Sequence, residues 1–244
     1  MQEVRVGNLQ LVALVDNVQL YPATAVYPEA GDALDAHAAH LDAEKRVALN
    51  FGCFFVADGD ARLLVDTGWG PEYNGKLLEE LREAGIEPAS ISRVLFTHLH
   101  GDHTGWNIDR ASGKPVFANA RYLVPKGDWG YYSSQATKPA SFVRDVEPLY
   151  ADGRVDLIEG EHRLSAGLTT VPTPGHTPGH TSVAISSAGE RGFILGDVVI
   201  SPIDVEEPSF KNSFDWDSGT ALRTRLAMLD RLAGDGSMVG ASHL

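Results

Sequence analysis

The stretch VLFTHLHGDHTGWN, residues 94–107, concentrates side chains that can bind metals and protons. His98, His100, Asp102 and His103 fall within six positions, directly after an apolar run that predicts a short buried strand. Residues i and i+2 of a strand point the same way, so His98 and His100 project together, and Gly101 permits a turn before the other two. Imidazoles and a carboxylate with this spacing suit Zn²⁺ or a similar first-row cation, and they predict two neighbouring cations.

A site for two cations needs more ligands, and three other predicted strand ends offer them. The loop PTPGHTPGH, residues 172–180, offers His176 or His180, and spacing alone does not choose between them. Asp197 follows the apolar run in FILGDVV, where a carboxylate can bridge two cations. His243 ends the apolar run in VGASHL in the same way. We therefore expect folding to gather these residues around the HxHxDH motif.

Other reactive side chains have simpler interpretations. His37 and His40 are spaced i and i+3 in an Ala-rich segment, which favours a solvated helix face over a metal site. His162 lies between Glu161 and Arg163 and is interpreted as a surface residue. The lone Cys53, within FGCFFV, is typical of a small buried apolar residue and leaves no internal disulfide.

The elements that must position these residues alternate between strands and helices. A strand or hairpin is predicted for VRVGNLQLVALVD and a hairpin for FGCFFVADGDARLLVDTG. Helices are predicted for residues 35–46, for GKLLEELREAG and for residues 218–234, with Ser218 as N-cap of the last. The segments GDWGYYSS and PASFVRDVEPLY are predicted to be helical and to form an inserted flap. Strands are predicted for ISRVLFTH, VFANARYLVP, RVDLIEG, GLTTVPT, HTSVAISS, RGFILGD and MVGASHL. This order predicts an α/β protein whose two sheets are covered by helices, in a single domain over residues 1–244.

Composition narrows the classes of function. The chain is 43% hydrophobic and 22% charged, as in an ordinary globular protein, and its net charge is −13. That charge argues against nucleic-acid partners and anionic membrane surfaces, both of which need clustered Lys and Arg. The sequence has no apolar stretch approaching the roughly 18 residues that span a bilayer, and no visible signal peptide. We expect a cytoplasmic protein.

The motifs resemble the metallo-β-lactamase fold superfamily over nearly the whole chain, with LLVDTG and its Asp66 as a further match. The resemblance implies an αββα sandwich, in which two mixed sheets are flanked by helices and the metals lie at one edge. It selects His176 over His180 and implies that Asp66 orients a ligand. The metal ligands that it implies are His98, His100 and His176 on one ion, Asp102, His103 and His243 on the other, and Asp197 between them.

A closer resemblance is to the branch that holds methyl parathion hydrolase and broad-specificity lactonases and esterases. It is carried by THLHGDHTGWN followed by ANARYLV, and by the run from Asp197 through PSFKNSFDWD to VGASHL. Ile200 stands where acyl-homoserine lactonases carry a tyrosine, so a narrow assignment to that activity is not favoured. Members of this branch often pair through the flap region, which predicts a homodimer.

The predicted function is hydrolysis of a small molecule. Two divalent cations, zinc first but also Mn, Fe or Co, would acidify a shared water, and the metal-bridging hydroxide would attack a lactone or carboxylic ester, or else a phosphotriester. Asp102 is both a ligand and a candidate general base. Aromatic residues in predicted loops are candidates for an apolar substrate wall: Phe51, Trp69, Trp106, Trp129, Tyr131, Tyr132, Phe214 and Trp216.

Other functions of the same fold are weighed against this one. A β-lactamase would need export, and a thioesterase would need a basic substrate-binding tail, which is not evident. A nuclease is disfavoured by the net charge, and a redox di-iron protein by His100, where a glutamate would be expected. From a different class, a sensor module could keep the metals without turnover, and a substrate panel would separate it from an enzyme.

Overall fold

The structure, a computed structural model, describes residues 2–244. Its strands are β1 Gln2–Val6, β2 Leu9–Pro22, β3 Arg46–Asp58, β4 Ala61–Val65, β5 Arg93–Leu95, β6 Arg121–Pro125, β7 Val155–Ile158, β8 Leu168–Pro172, β9 Thr181–Ser187, β10 Glu190–Ile194 and β11 Met238–Gly240. Its α-helices are α1 Ala23–Val26, α2 Leu77–Glu83, α3 Gly101–Thr104, α4 Lys126–Ser133, α5 Glu147–Ala151, α6 Pro202–Glu206 and α7 Ser218–Asp235. Segments of 3₁₀ helix, the longest of which is Gly31–His40, and a π-helical turn, Phe142–Val146, lie between them.

The strands form two mixed sheets. The first has seven strands in the order β1-β2-β3-β4-β5-β6-β7, antiparallel from β1 to β4 and parallel from β4 to β7. The second has four strands in the order β11-β10-β9-β8, in which only β10 and β11 are parallel. The predicted hairpin β3–β4 is confirmed, and of the two possibilities for VRVGNLQLVALVD the hairpin, β1–β2, is the one found.

The two sheets face each other across an apolar layer, and helices cover their outer faces. Alternation along β3 shows the arrangement, because Phe54 and Val56 point into the layer between the sheets whereas Cys53 and Phe55 pack under the helices. On the second sheet, Met228 of α7 packs with Phe193 and its neighbours. The predicted sandwich of two mixed sheets flanked by helices is thus confirmed.

Three local predictions are wrong. The helix expected over residues 35–46 is a 3₁₀ helix, Gly31–His40, and a left-handed residue, Lys45, precedes β3. The N-cap of α7 is Asp217 and not Ser218, because the Asp217 carboxylate accepts a hydrogen bond from the Thr220 N–H.

The third correction concerns the inserted flap. Residues 126–133 and 140–151 are helical as predicted, but Phe142, Val146 and Leu149 are fully buried in the helix-covered core of the first sheet. The segment is therefore part of the outer helical layer. Within residues 2–244, no helix is long and apolar enough to cross a membrane.

Candidate metal centre

The loops that follow β5 and β8 bring three histidine nitrogens to one point. The Nδ1 atom of His100 lies 3.0 Å from His98 Nε2 and 3.0 Å from His176 Nε2. His98 and His176 are buried, whereas His100 is partly open to the cavity described below. The expectation that His98 and His100 project together is met, and the PTPGHTPGH loop delivers its first histidine to the same place.

A second group meets on the other side of Asp197. Asp102 Oδ2 lies 3.4 Å from His103 Nε2 and 3.7 Å from His243 Nε2. Asp197 Oδ2 lies between the two groups, 3.2 Å from His176, 3.4 Å from His103 and 3.0 Å from His243. All seven residues predicted as ligands therefore lie in one cluster, with Asp197 placed where a bridging carboxylate would lie.

The outer ring nitrogens of three histidines are held by acceptors, which directs the inner nitrogens into the cluster. His103 Nδ1 donates to Asp66 Oδ2 at 2.9 Å, His176 Nδ1 donates to Asp215 Oδ1 at 3.0 Å, and His243 Nδ1 donates to the Asn50 carbonyl. The inner Nε2 atoms of these three histidines converge on Asp197 Oδ2, at 3.0–3.4 Å. Such a set of nitrogens around one carboxylate can bind metal ions once the protons on the inner nitrogens are displaced.

Two further observations show that the residues fit metal ions. Within the described chain, His103 Nε2 and Asp197 Oδ1 are buried without any hydrogen-bond partner, and such orphaned atoms are rare in folded proteins. The donor atoms also form three sets whose members lie within 4.8 Å of one another: His98, His100 and His176; His98, His103 and Asp197; and Asp102, His103 and His243. A tetrahedral zinc ion with bonds of 2.0–2.1 Å needs donors about 3.3 Å apart, close to the distances above.

Asp66 lies outside the set of predicted ligands and holds two of them in place through hydrogen bonds. Its carboxylate accepts hydrogen bonds from the Thr97 N–H at 2.8 Å, the Thr97 hydroxyl at 2.7 Å and His103. Asp66 itself has φ +61°, a left-handed conformation that costs a non-glycine residue free energy. The hydroxyl of Thr97 in turn accepts from His98 Nδ1 at 3.0 Å, so one buried carboxylate fixes both histidines.

His180 supports the cluster and does not point into it. Its Nδ1 atom contacts the hydroxyl of Thr173 at 2.9 Å, and its Nε2 atom accepts the Asp197 N–H at 3.0 Å. Gly196, at φ +61°, is needed here, because a Cβ atom would lie 2.7 Å from His180 Nε2. His180 therefore fixes the backbone that carries Asp197.

His98, His100 and Asp102 already have the charge states of metal ligands. Burial and the neighbouring His176 lower the pKa of His100 to about 4, and burial together with His103 lowers the pKa of His98 well below its ordinary value. Burial alone would raise the pKa of Asp102, but His103 and His243 hold that pKa below its ordinary value. Burial opposes protonation of the other three histidines, but Asp197 raises the pKa of His103 and His243, and Asp197 with Asp215 raises the pKa of His176 to about 9. A metal ion would therefore displace protons from His103, His176 and His243 on binding.

A cavity of about 320 Å³ opens above the cluster. His100, Asp102, His176, Asp197 and His243 form one side of it. The other side is largely apolar and consists of Tyr21, Leu49, Phe51, Trp69, Ile200 and Phe214. A small molecule bound in this cavity would have its non-polar group against the apolar side and its polar group beside the histidine–aspartate cluster.

Only part of the predicted aromatic wall is found. Phe51, Trp69 and Phe214 line the cavity, and Tyr131 and Trp216 are exposed and in contact with each other. The remaining three candidates pack elsewhere: Trp106 donates to Asp16, and Trp129 and Tyr132 pack on Phe142.

Sequence reasoning missed Tyr21 and Leu49 in the wall and Asp215 behind His176. The wall residues could have been found from β-strand alternation, because Tyr21 pairs with Val47 in a register that gives it the same face as Leu49 and Phe51. Asp215 lies in an irregular segment, and no pattern marks it. His37 and His40 both bind Glu206, at 2.7 and 2.8 Å, away from the cluster, and His162 is exposed.

The protein has two facing mixed sheets, and its histidine–aspartate cluster lies in the loops that follow the strands. These features define a class of α/β metal-binding proteins. The family model described as "Metallo-beta-lactamase superfamily" matches residues 53–234. The chain belongs to the metallo-β-lactamase superfamily.

Similar proteins include lactonases. The chain is 32% identical over 148 residues to the lactamase-like protein notP of Aspergillus sp. (strain MF297-2), a match that covers 60% of this chain and 38% of that protein. It is 28% identical over 166 residues to an N-acyl homoserine lactonase of Bacillus sp, a match that covers 59% of this chain and 61% of that protein. The matches thus span less than two thirds of either relative.

The fold is similar to that of AidC, described as a dizinc quorum-quenching lactonase in complex with a product. The TM-score is 0.86 at 23% sequence identity, and the match covers 100% of this chain and 90% of that one. This likeness concerns the fold. The narrower resemblance to the methyl parathion hydrolase branch stays a prediction.

Proposed function

We propose that the chain is a dinuclear metal-dependent hydrolase that opens lactones or cleaves carboxylic esters. In this proposal His98, His100 and His176 hold one divalent ion, Asp102, His103 and His243 hold the other, and Asp197 bridges them. Zinc is the first expectation, because the donor set of imidazoles and carboxylates suits it. The lactonase relative and the likeness to a dizinc lactonase support the same class of reaction.

The observation that carries the proposal is the cavity. Its cluster side has donors for two cations, and its opposite side has apolar side chains that can bind an acyl or aryl group. None of the described residues that line it is Lys or Arg, so apart from the proposed metal ions it offers no positive charge for an anionic group of a substrate. A neutral ester or lactone is the substrate chemistry that such a cavity accommodates.

With both sites filled, the ions would acidify a shared water and polarise the substrate carbonyl. The chain supplies the remaining functions. The apolar wall orients the acyl group and excludes water from it. Asp102 is ionised and lines the cavity, so its carboxylate can accept the proton of the attacking water and return it to the leaving alkoxide. The products are a carboxylic acid and an alcohol, which remain joined as one hydroxy acid when the substrate is a lactone.

A substrate panel tests the proposal. The zinc-loaded full chain is assayed with an N-acyl lactone, an aryl ester, a phosphotriester of the paraoxon type, a thioester and a β-lactam. We expect the lactone or the aryl ester to have the highest kcat/KM and chelation to abolish its turnover. Asp102→Asn is expected to lower kcat, while Asp230→Asn, an exposed aspartate on α7, is not.

The outcomes separate the alternatives. Preference for the phosphotriester, the thioester or the β-lactam would assign the same centre to a different substrate and overturn the ester proposal. Failure of zinc-loaded protein to turn over any compound would favour a non-catalytic metal-binding module. Undiminished turnover in excess chelator would contradict metal dependence itself.

A further inference from the structure

Asp215 connects a predicted metal ligand to the interior of the protein. Its Oδ1 atom accepts the Nδ1–H of His176 at 3.0 Å, and its side chain is only 2% exposed. Its other oxygen, Oδ2, accepts a hydrogen bond from Arg225 at 3.4 Å. The carboxylate therefore lies between the histidine and a buried guanidinium.

Arg225, on α7, is itself fixed. Its side chain is 2% exposed, and it donates to the carbonyl oxygens of Val198 at 3.0 Å, Pro208 at 3.1 Å and Phe210 at 3.1 Å. A planar guanidinium with several acceptors has little rotational freedom. Arg225 thus holds the Asp215 carboxylate in one orientation.

The backbone fixes the same pair. The Trp216 N–H donates to the His176 carbonyl at 3.0 Å, and the Asp217 N–H donates to the Gly175 carbonyl at 3.0 Å. These two bonds attach the segment after Asp215 to the loop that carries His176. Asp215 and His176 therefore keep a constant separation.

We propose that Asp215, held by Arg225, is a positioning residue that fixes His176 as a metal ligand, an inference that rests on the proposed dinuclear centre. Because Nδ1–H is donated to the carboxylate, Nε2 is the nitrogen left to bind a metal, and it points at His100 Nδ1, 3.0 Å away, and Asp197 Oδ2, 3.2 Å away. A carboxylate on the outer nitrogen also makes the imidazole more basic toward a metal. Asp66 has the same relation to His103, so each half of the centre contains one carboxylate-supported histidine.

Zinc affinity tests this role without relying on activity. Asp215→Asn and Asp215→Ala are made in the full chain, stripped of metal, and titrated with zinc against a chromophoric chelator. Loss of such a partner typically weakens metal binding by about 10–100-fold, and we expect that loss for one of the two zinc ions. The d–d spectrum of the cobalt-substituted protein should change as well. Asp217→Asn is the matched control, because its side chain caps α7 and asparagine caps equally well.

A purely structural role would predict a different pattern. It would lower the melting temperature of the Asp215 variants while the folded protein bound both zinc ions with wild-type affinity and unchanged cobalt spectra, and this result would overturn the inference. Asp215→Asn keeps the shape of the side chain and serves if the alanine variant does not fold. If the wild-type chain binds no zinc, the proposed function and this inference fail together. If the wild-type chain binds two zinc ions and the Asp215 variants bind them with the same affinity, this inference alone fails.

Discussion

At the scale of single residues, the candidate centre depends on which nitrogen of each histidine carries the proton. His103, His176 and His243 donate outward to Asp66, Asp215 and a backbone carbonyl. The inner nitrogens therefore point together at Asp197, where metal ions would replace the protons that this carboxylate favours. The side chains are pre-organised for metal binding, so little reorientation is needed when the ions enter.

Asp197→Asn is expected to have the largest effect of any single substitution in the cluster. The change removes the negative charge that lies between the two groups, 3.0 Å from His243 and 3.2 Å from His176. We predict that isothermal titration with zinc shows at least about 100-fold weaker binding at one site, since even an outer partner contributes 10–100-fold. Asp230→Asn is the control, and equal titration curves for the two variants would contradict the bridging role.

At the scale of elements, ligands from distant parts of the chain meet because loops are tied to one another by buried carboxylates. Asp128, at the start of α4, accepts from the Leu99 N–H at 3.0 Å, the Thr177 hydroxyl at 2.9 Å and the Gly179 N–H at 2.6 Å. It therefore joins the loop of His98 and His100 to the loop of His176. Arg225 does the same for α7 and the segments around Val198 and Asp215.

Arg225→Met tests the second of these ties. The change leaves Asp204, 3.7 Å from the guanidinium, and Asp215 buried without their cation. Removing one partner from a buried ion pair typically costs about 3–5 kcal/mol, and we expect a loss of that size in the free energy of unfolding by urea. Arg223→Met on the exposed face of the same helix should change stability by no more than about 0.5 kcal/mol. Similar losses for both variants would contradict the role given to Arg225.

The sequence does not predict the buried contacts of Asp128, Asp215 and Arg225 that join the loops. The ligands could be found because each lies at or just after a predicted strand end, and strand alternation explains why His98 and His100 converge. The choice of His176 over His180 came only from the family resemblance. Asp128, Asp215 and Arg225 carry no such signal, because their partners are brought close only by the tertiary fold. The errors at residues 35–46 and at Ser218 have a similar origin, since local propensity does not fix where a short helix begins or ends.

At the scale of the whole molecule, the two sheets and the segment before α7 together form the cavity. Tyr21 comes from β2, Leu49 and Phe51 come from β3, and Phe214 comes from the segment before α7. The ring centroids of Phe214 and Tyr21 are 6.2 Å apart. The cluster comes from the loops after β5, β8 and β10 and from the segment after β11, whereas most of the apolar wall comes from β2, β3 and the segment before α7. Substrate preference and metal binding should therefore be separable by mutation.

Phe214→Ala tests that separation. Loss of one apolar wall residue is expected to lower kcat/KM for a long-chain acyl ester roughly 10-fold while acetate esters change little, because only the longer chain reaches the wall. Zinc content should remain that of wild type. Leu226→Ala, an exposed position on α7, is the control. An equal loss for short and long esters, or a loss of zinc, would argue against this division.

The most direct test of the account is a zinc titration of the metal-free chain, with bound zinc measured by mass spectrometry and hydrolysis of the preferred ester or lactone measured in the same samples. We predict that bound zinc reaches two ions per chain, and that hydrolysis is absent without zinc and maximal when both are bound. Hydrolysis by the metal-free chain, or a chain that binds no zinc, would contradict the account.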